Sequence, residues 1–186
     1  VGGLQLTDAE SFVVSVLATN DPPAIATNTP LTVMEGATAI IGADRLGGSD
    51  LDNSAAELTY TLTAGPQHGT LQRDGVNLTS MSFTQAEVNV NRIQYVHDGG
   101  ESTSDSFSFT LSDGAGGAVT GRFNINITAV NDAPKINRSN SLAVQAGGMR
   151  RITVAQLSGS DPDDTPANLT YTATAPSAGR ILVDEN

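Results

Sequence analysis

The chain has 186 residues, 9 basic against 20 acidic side chains for a formal net charge of −11, and 38% hydrophobic residues with five Phe, three Tyr and no Trp. Such a surface repels nucleic acid and anionic lipid and attracts divalent cations, while a core of Val, Ile, Leu and Ala suits a small sandwich better than a large enzyme fold. The absence of cysteine points to a bacterial exported protein or a metal-stabilised one, and no stretch approaches the ~20 apolar residues that span a bilayer, so direct membrane insertion is not expected.

In chain order, the first 20 residues lack the basic start and apolar run of a signal peptide, so this reads as an internal segment whose export signals lie elsewhere. After Phe12, Val14 and Val16, Asn20-Asp21-Pro22-Pro23 follows as a stiff linker. Short strands are expected around Ile40, at Leu58, Tyr60 and Leu62 between threonines, at Leu71, and at Ile93-Gln94-Tyr95. A short helix is predicted over 84–90, where Thr84 and Glu87 form a capping-box pattern. Phe107, Phe109 and Leu111, then Phe123, Ile125 and Ile127, alternate with polar residues at the period of two of half-buried strands. Gly, Asn and Asp punctuate between the strands, as turns require.

The linker then returns. Asn131-Asp132-Ala133-Pro134 stands 111 residues after its first copy, and the same offset maps Phe12 onto Phe123, Leu31 onto Leu142 and Val33 onto Val144. It also maps Ser49-Asp50-x-Asp52 onto Ser160-Asp161-x-Asp163 and Leu58-Thr59-Tyr60-Thr61 onto Leu169-Thr170-Tyr171-Thr172. So many matches in one register define a tandem array. Residues 1–23 are the C-terminal part of one repeat, 24–134 a complete repeat, and 135–186 the N-terminal part of the next. About seven short strands in ~110 residues indicate an all-β fold, a β-sandwich of immunoglobulin or cadherin type. Each cut end would leave half a core open, to be covered by complementary strands.

Four runs carry a family resemblance: His68-Gly69-Thr70-Leu71, Phe83-Thr84-Gln85-Ala86-Glu87-Val88, Ile93-Gln94-Tyr95-Val96-His97-Asp98-Gly99, and Asp105-Ser106-Phe107-Ser108-Phe109-Thr110-Leu111-Ser112-Asp113-Gly114. In this order they resemble the CSPG repeat, the cadherin-like module of chondroitin sulfate proteoglycan ectodomains and of large bacterial surface proteins. The Asn-Asp-x-Pro linkers are similar to those of cadherin-like tandems in bacterial adhesins. The resemblance implies an extracellular array, often with calcium at the junctions, working in adhesion or matrix contact. Neighbouring repeats of the same chain are then the first partners, and a cell-surface or matrix protein or glycan the distal one.

Calcium takes about six to eight oxygen ligands from carboxylates, amides and carbonyls. At the second linker, Glu35 and Asp113 from the complete repeat, Asn131 and Asp132 from the linker, and Asp161 and Asp163 from the following repeat are the expected set. Glu35 lies in Met34-Glu35-Gly36, where cadherin-like domains carry an acidic ligand by resemblance. At the first linker the set is Asn20, Asp21, Asp50 and Asp52, with Asp98 or Asp105 as additions. Ala146 replaces the Glu35 counterpart in the last segment, so a later junction is poorer in ligands. Asp and Asn also cap turns without any metal. Neither an EF-hand loop nor a calcium-binding nonapeptide repeat is present.

No enzyme is read from the chain: His68 and His97 come without a Gly-x-Ser-x-Gly turn or a metal-spaced partner. The alternative to a spacer is a carbohydrate- or protein-binding module, which an exposed aromatic patch or a deep groove would favour.

Overall fold

A computed structural model describes residues 14–17 and 19–183. In chain order its elements are β1 (Ala24–Asn28), β2 (Leu31–Met34), β3 (Thr38–Ile40), β4 (Leu46–Ser49), β5 (Thr59–Ala64), β6 (Gly69–Arg73), β7 (Val76–Asn77) and β8 (Ser82–Thr84). There follow α1 (Gln85–Asn89), β9 (Ile93–His97), β10 (Ser104–Ser112), β11 (Ala118–Thr128), β12 (Lys135–Ser139) and β13 (Leu157–Ser160).

The longest ladder follows directly from the alternation in sequence. β10 and β11 pair antiparallel from Ser104↔Asn126 to Ser112↔Ala118, so Phe107 sits opposite Phe123. Phe107, Phe109, Leu111, Phe123 and Ile125 thus all point to one face and are essentially excluded from solvent. β5 joins β10, β8 joins β5, and β2 runs parallel to β11, giving the order β2-β11-β10-β5-β8. The opposing sheet has the order β3-β9-β6-β7, and β1 with β4 makes a two-stranded ribbon beside them. The result is an all-β sandwich over residues 24–128.

The core between the sheets is aromatic at its centre. Tyr60 stacks on Phe83 at 5.0 Å and meets Phe109 edge-on at 5.1 Å, while Phe107 stacks on Phe123 at 5.1 Å. The Tyr60 hydroxyl is buried and donates to Gln85 Oε1 at 2.6 Å, which also accepts the Gly48 N–H at 2.7 Å. That shared acceptor ties the ribbon to the start of α1. The helix is short but doubly capped: Thr84 Oγ1 accepts the Glu87 N–H, and the Glu87 carboxylate accepts the Thr84 N–H.

The 111-residue repeat reappears in backbone pairing. β12 pairs β13 from Lys135↔Ser160 to Ser139↔Leu157, the register of Ala24↔Ser49 to Asn28↔Leu46, with the irregularity at Ile136/Arg138 matching that at Ile25/Thr27. Beyond that ribbon, 140–183 contains no further strand. Leu142, Val144 and Leu169–Thr172 have strand patterns, but their counterparts β2 and β5 are held by β11 and β10, and no strand among the described residues plays those parts for them. Val154, Ile181 and Val183 are accordingly exposed.

Phe109→Ala removes the ring that Tyr60 and Phe107 pack against and is expected to destabilise the sandwich by about 3–5 kcal/mol in urea unfolding. Val154→Ala, in the open segment, is expected to change the same transition by no more than about 0.5 kcal/mol.

Candidate metal centre

Acidic side chains gather at the two poles of the sandwich, where the linkers attach. At the first pole the Asp21 N–H donates to Asp52 Oδ2 at 2.8 Å, and Asp50 Oδ1 accepts the N–H groups of Asp52 and Asn53. Asp113 lies here as well: Asn20 Nδ2 donates to its Oδ2 at 2.8 Å. Its carboxylate is buried and also accepts the N–H groups of Ala115 and Gly117. The hydrogen bond from Asn20, aided by those N–H groups, holds this carboxyl below the usual aspartate range. The chain passes so close that a Cβ on Gly117 would stand 2.7 Å from Pro22 Cα. Asp113 was expected at the second linker and belongs to the first, because β11 carries the chain from this turn across the whole sandwich before the second linker begins.

Two acceptor oxygens at this pole are buried without a hydrogen-bond donor among the described residues: Asp50 Oδ2 and Asn53 Oδ1. Buried oxygens of this kind are normally satisfied. Carboxylate and amide oxygens of these kinds are the ligands that calcium prefers.

The second pole repeats the linker geometry. The Asp132 N–H donates to Asp163 Oδ2 at 2.6 Å, Asp161 Oδ1 accepts the N–H groups of Asp163 and Asp164, and Asn131 Nδ2 donates to the Asp132 carbonyl at 2.8 Å. The Asp50/Asp52 loop is thus rebuilt bond for bond. From the sandwich side Glu35 arrives, with its Oε2 accepting the Val130 N–H at 3.2 Å. Glu35, Glu101 and Asp132 offer carboxylate oxygens within 4.8 Å of one another. Burial, then repulsion from Asp163, Glu35 and Asp132, pushes the Glu101 carboxyl up from its ordinary value. Carboxylates that repel at this distance are an arrangement a hard cation could bridge. Sequence reasoning missed Glu101; the available signal was its place in the Asp98-Gly99-Gly100-Glu101 loop, two residues past the Gly99 turn.

Asp98 and Asp105, expected as additions at the first linker, lie at the other pole. The Asp98 N–H donates to the His68 carbonyl, and its Oδ1 accepts the Gly100 N–H. Asp105 is fully engaged, accepting the N–H groups of Gln67, His68 and Ser106 and the Tyr95 hydroxyl. Burial raises its carboxyl and those donors outweigh it, leaving it below the ordinary value. Asp105 is a turn cap with no lone pair turned to a linker.

Ser102 Oγ stands 2.8 Å from His97 Nε2, the spacing of a nucleophile and its base. Yet His97 Nδ1 accepts two backbone N–H groups, from Gly36 and Gly99, so the proton is on Nε2 and Ser102 is the acceptor. That pair has no base pointing at the serine. A groove of about 600 Å³ runs beside β10 and β11 past Asp105, Arg122, Asn124 and Asn126, and no Phe or Tyr ring lines it.

Residues 23–127 and 134–186 match the cadherin-like family. The extracellular matrix organizing protein FRAS1 of Homo sapiens is 35% identical over 178 residues, covering 94% of this chain and 4% of that protein. Extracellular matrix protein 3 of Lytechinus variegatus is 29% identical over 187 residues, 95% of this chain and 6% of that protein. Chondroitin sulfate proteoglycan 4 of Homo sapiens is 40% identical over 106 residues, 56% of this chain and 4% of that protein. The chain therefore spans only a small part of these relatives, which are extracellular matrix proteins and a proteoglycan by name, and they give no support to the bacterial origin expected from the missing cysteines. Among the described residues no helix is long and apolar enough to cross a membrane.

Asp105 supplies a pH dependence that can be measured. With its folded pKa depressed, it contributes stability that is present above its unfolded value and lost as pH falls through the folded one, below 3.8. Asp105→Asn is expected to be less stable than the wild type at pH 7 and to lose less stability on acidification, as read by urea unfolding across that range.

Proposed function

The chain belongs to the cadherin-like family, and on that premise we propose that it is a structural spacer of a large extracellular protein, built from tandem repeats and stiffened by calcium at the linkers between them. Residues 24–134 form the complete repeat in this reading, with parts of its neighbours on either side. The observation that carries it is the recurrence of one linker latch, Asp21 to Asp52 and again Asp132 to Asp163, each ringed by further carboxylates. Chance turn chemistry has no reason to recur at a sequence distance of a whole domain. The extracellular matrix names of the relatives support the location and the non-enzymatic role.

The chain's own residues do the following. The latch fixes the linker to the Asp-x-Asp loop of the repeat after it, and Glu35 holds the departing strand through Val130. Glu35, Glu101, Asp132, Asp161 and Asp163 would hold the ion at the second linker, and Asp50, Asp52, Asn53 and Asp113 with Asn20 and Asp21 at the first. A bound calcium neutralises carboxylates that otherwise push the two repeats apart. The direct partners are then the neighbouring repeats, and a cell-surface or matrix protein or glycan is the partner of the array as a whole.

Thermal unfolding in chelator, in millimolar calcium and in millimolar magnesium tests the reading. A ligand at 100 times its Kd stabilises the folded state by about 2.7 kcal/mol, so calcium is expected to raise the midpoint and magnesium to leave it nearly unchanged. Asp161→Ala is expected to weaken the effect at the second linker and loosen that junction in X-ray scattering while the core transition of the sandwich stays in place. Equal midpoints in chelator and calcium, with equal scattering dimensions, would sink the calcium role.

A further inference from the structure

Glu35 and Glu101 reach the second linker from two separate loops, and neither loop belongs to a sheet. One buried side chain joins them. His97 ends β9 with its side chain wholly excluded from solvent. Its Nδ1 accepts the Gly36 N–H at 3.0 Å and the Gly99 N–H at 3.2 Å, and its Nε2 stands 2.8 Å from Ser102 Oγ. Two donors on Nδ1 require the lone pair there, so the ring is the Nε2–H tautomer and Ser102 accepts. Gly36 and Gly99 face each other, with φ of +66° and +81°, where side chains are rarely tolerated.

The sequence neighbours of these anchors matter. Gly36 directly follows Glu35, and Ser102 directly follows Glu101. The imidazole therefore grips the residue after each of the two acidic side chains, using both ring nitrogens. An apolar side chain of similar size would fill the space and leave the Gly36 and Gly99 N–H groups unpaired.

We infer that His97 is the positioning residue of the second-linker site: it sets the spacing of Glu35 and Glu101 by clamping their two loops, without touching the cation. This rests on the calcium reading given above. A histidine that merely fills the core would affect stability but leave cation affinity alone. Removing outer hydrogen bonds that orient metal ligands commonly costs about 10–100-fold in affinity.

The test compares the wild type with His97→Phe and His97→Asn, the asparagine carrying an amide oxygen on the Nδ1 side. In chelator, amide exchange at Gly36 and Gly99 is expected to accelerate about tenfold or more in His97→Phe and less in His97→Asn, with the β10 amides unaffected. In calorimetric calcium titration His97→Phe is expected to bind about tenfold more weakly, and His97→Asn to recover most of that loss. A long-range 15N–1H spectrum of the wild type is expected to give the Nε2–H tautomer, a readout that stands even if His97→Phe does not fold. A wild type that binds calcium while His97→Phe binds it equally, or a ring found as the Nδ1–H tautomer, overturns the inference and spares the calcium reading. A wild type that binds no calcium overturns that reading, and the role of His97 falls with it.

Discussion

The β10–β11 ladder governs where every functional group of this chain can stand. It runs unbroken from Ser104↔Asn126 to Ser112↔Ala118, and at roughly 3.4 Å per residue its nine rungs separate the two poles by about 30 Å. The loop carrying Glu101 leads into one end of it and the turn carrying Asp113 closes the other. A carboxylate at one pole cannot serve the linker at the other. The carboxylates of the sandwich therefore fall into two groups, one facing the linker that enters it and one facing the linker that leaves it.

In the calcium reading a linker site is divided between two folding units. The Asp50-x-Asp52 loop and Asp113 face the linker that enters the sandwich, while Glu35 and Glu101 face the linker that leaves it. Each half is ordered by its own hydrogen bonds: Asp50 Oδ1 holds two N–H groups of its loop, and His97 holds the loops of the other pole. Preformed halves lower the ordering cost of bringing a cation between them.

Much of the fold was legible because one face of each sheet is buried and the side-chain period is two. Phe107, Phe109 and Leu111 could only be a half-buried strand, and Thr84 with Glu87 announced the helix start that the structure has. The Asp-x-Asp loop was legible through the 111-residue period, which needs no three-dimensional knowledge. What failed was the assignment of single acids to poles. Asp113 is closer in sequence to Asn131 than to Asn20, yet β11 is long enough to reverse that nearness in space. Asp98 and Asp105 flank the loop between β9 and β10, so they share a pole with Glu35. Glu101 carries no signal beyond its place after the Gly99 turn, and the closeness of loops tied together by His97 is what sets it beside Glu35. Leu142–Val144 and Leu169–Thr172, the period's counterparts of residues in β2 and β5, form no strand, since a strand pattern specifies a face and not the partner that must pair with it.

The parallel pairing of β2 with β11 has a mechanical consequence. The chain enters at the pole of Asp21 through β1 and leaves at the pole of Glu35, and the rungs from Ile125↔Leu31 to Thr128↔Met34 tie β2, the strand after β1, to the leaving strand β11. Tension applied along the chain pulls β2 and β11 in opposite directions along their own length. All the rungs are then loaded in shear at once, so none can be peeled ahead of the others. A string of such units resists stretching through backbone hydrogen bonds that share the load.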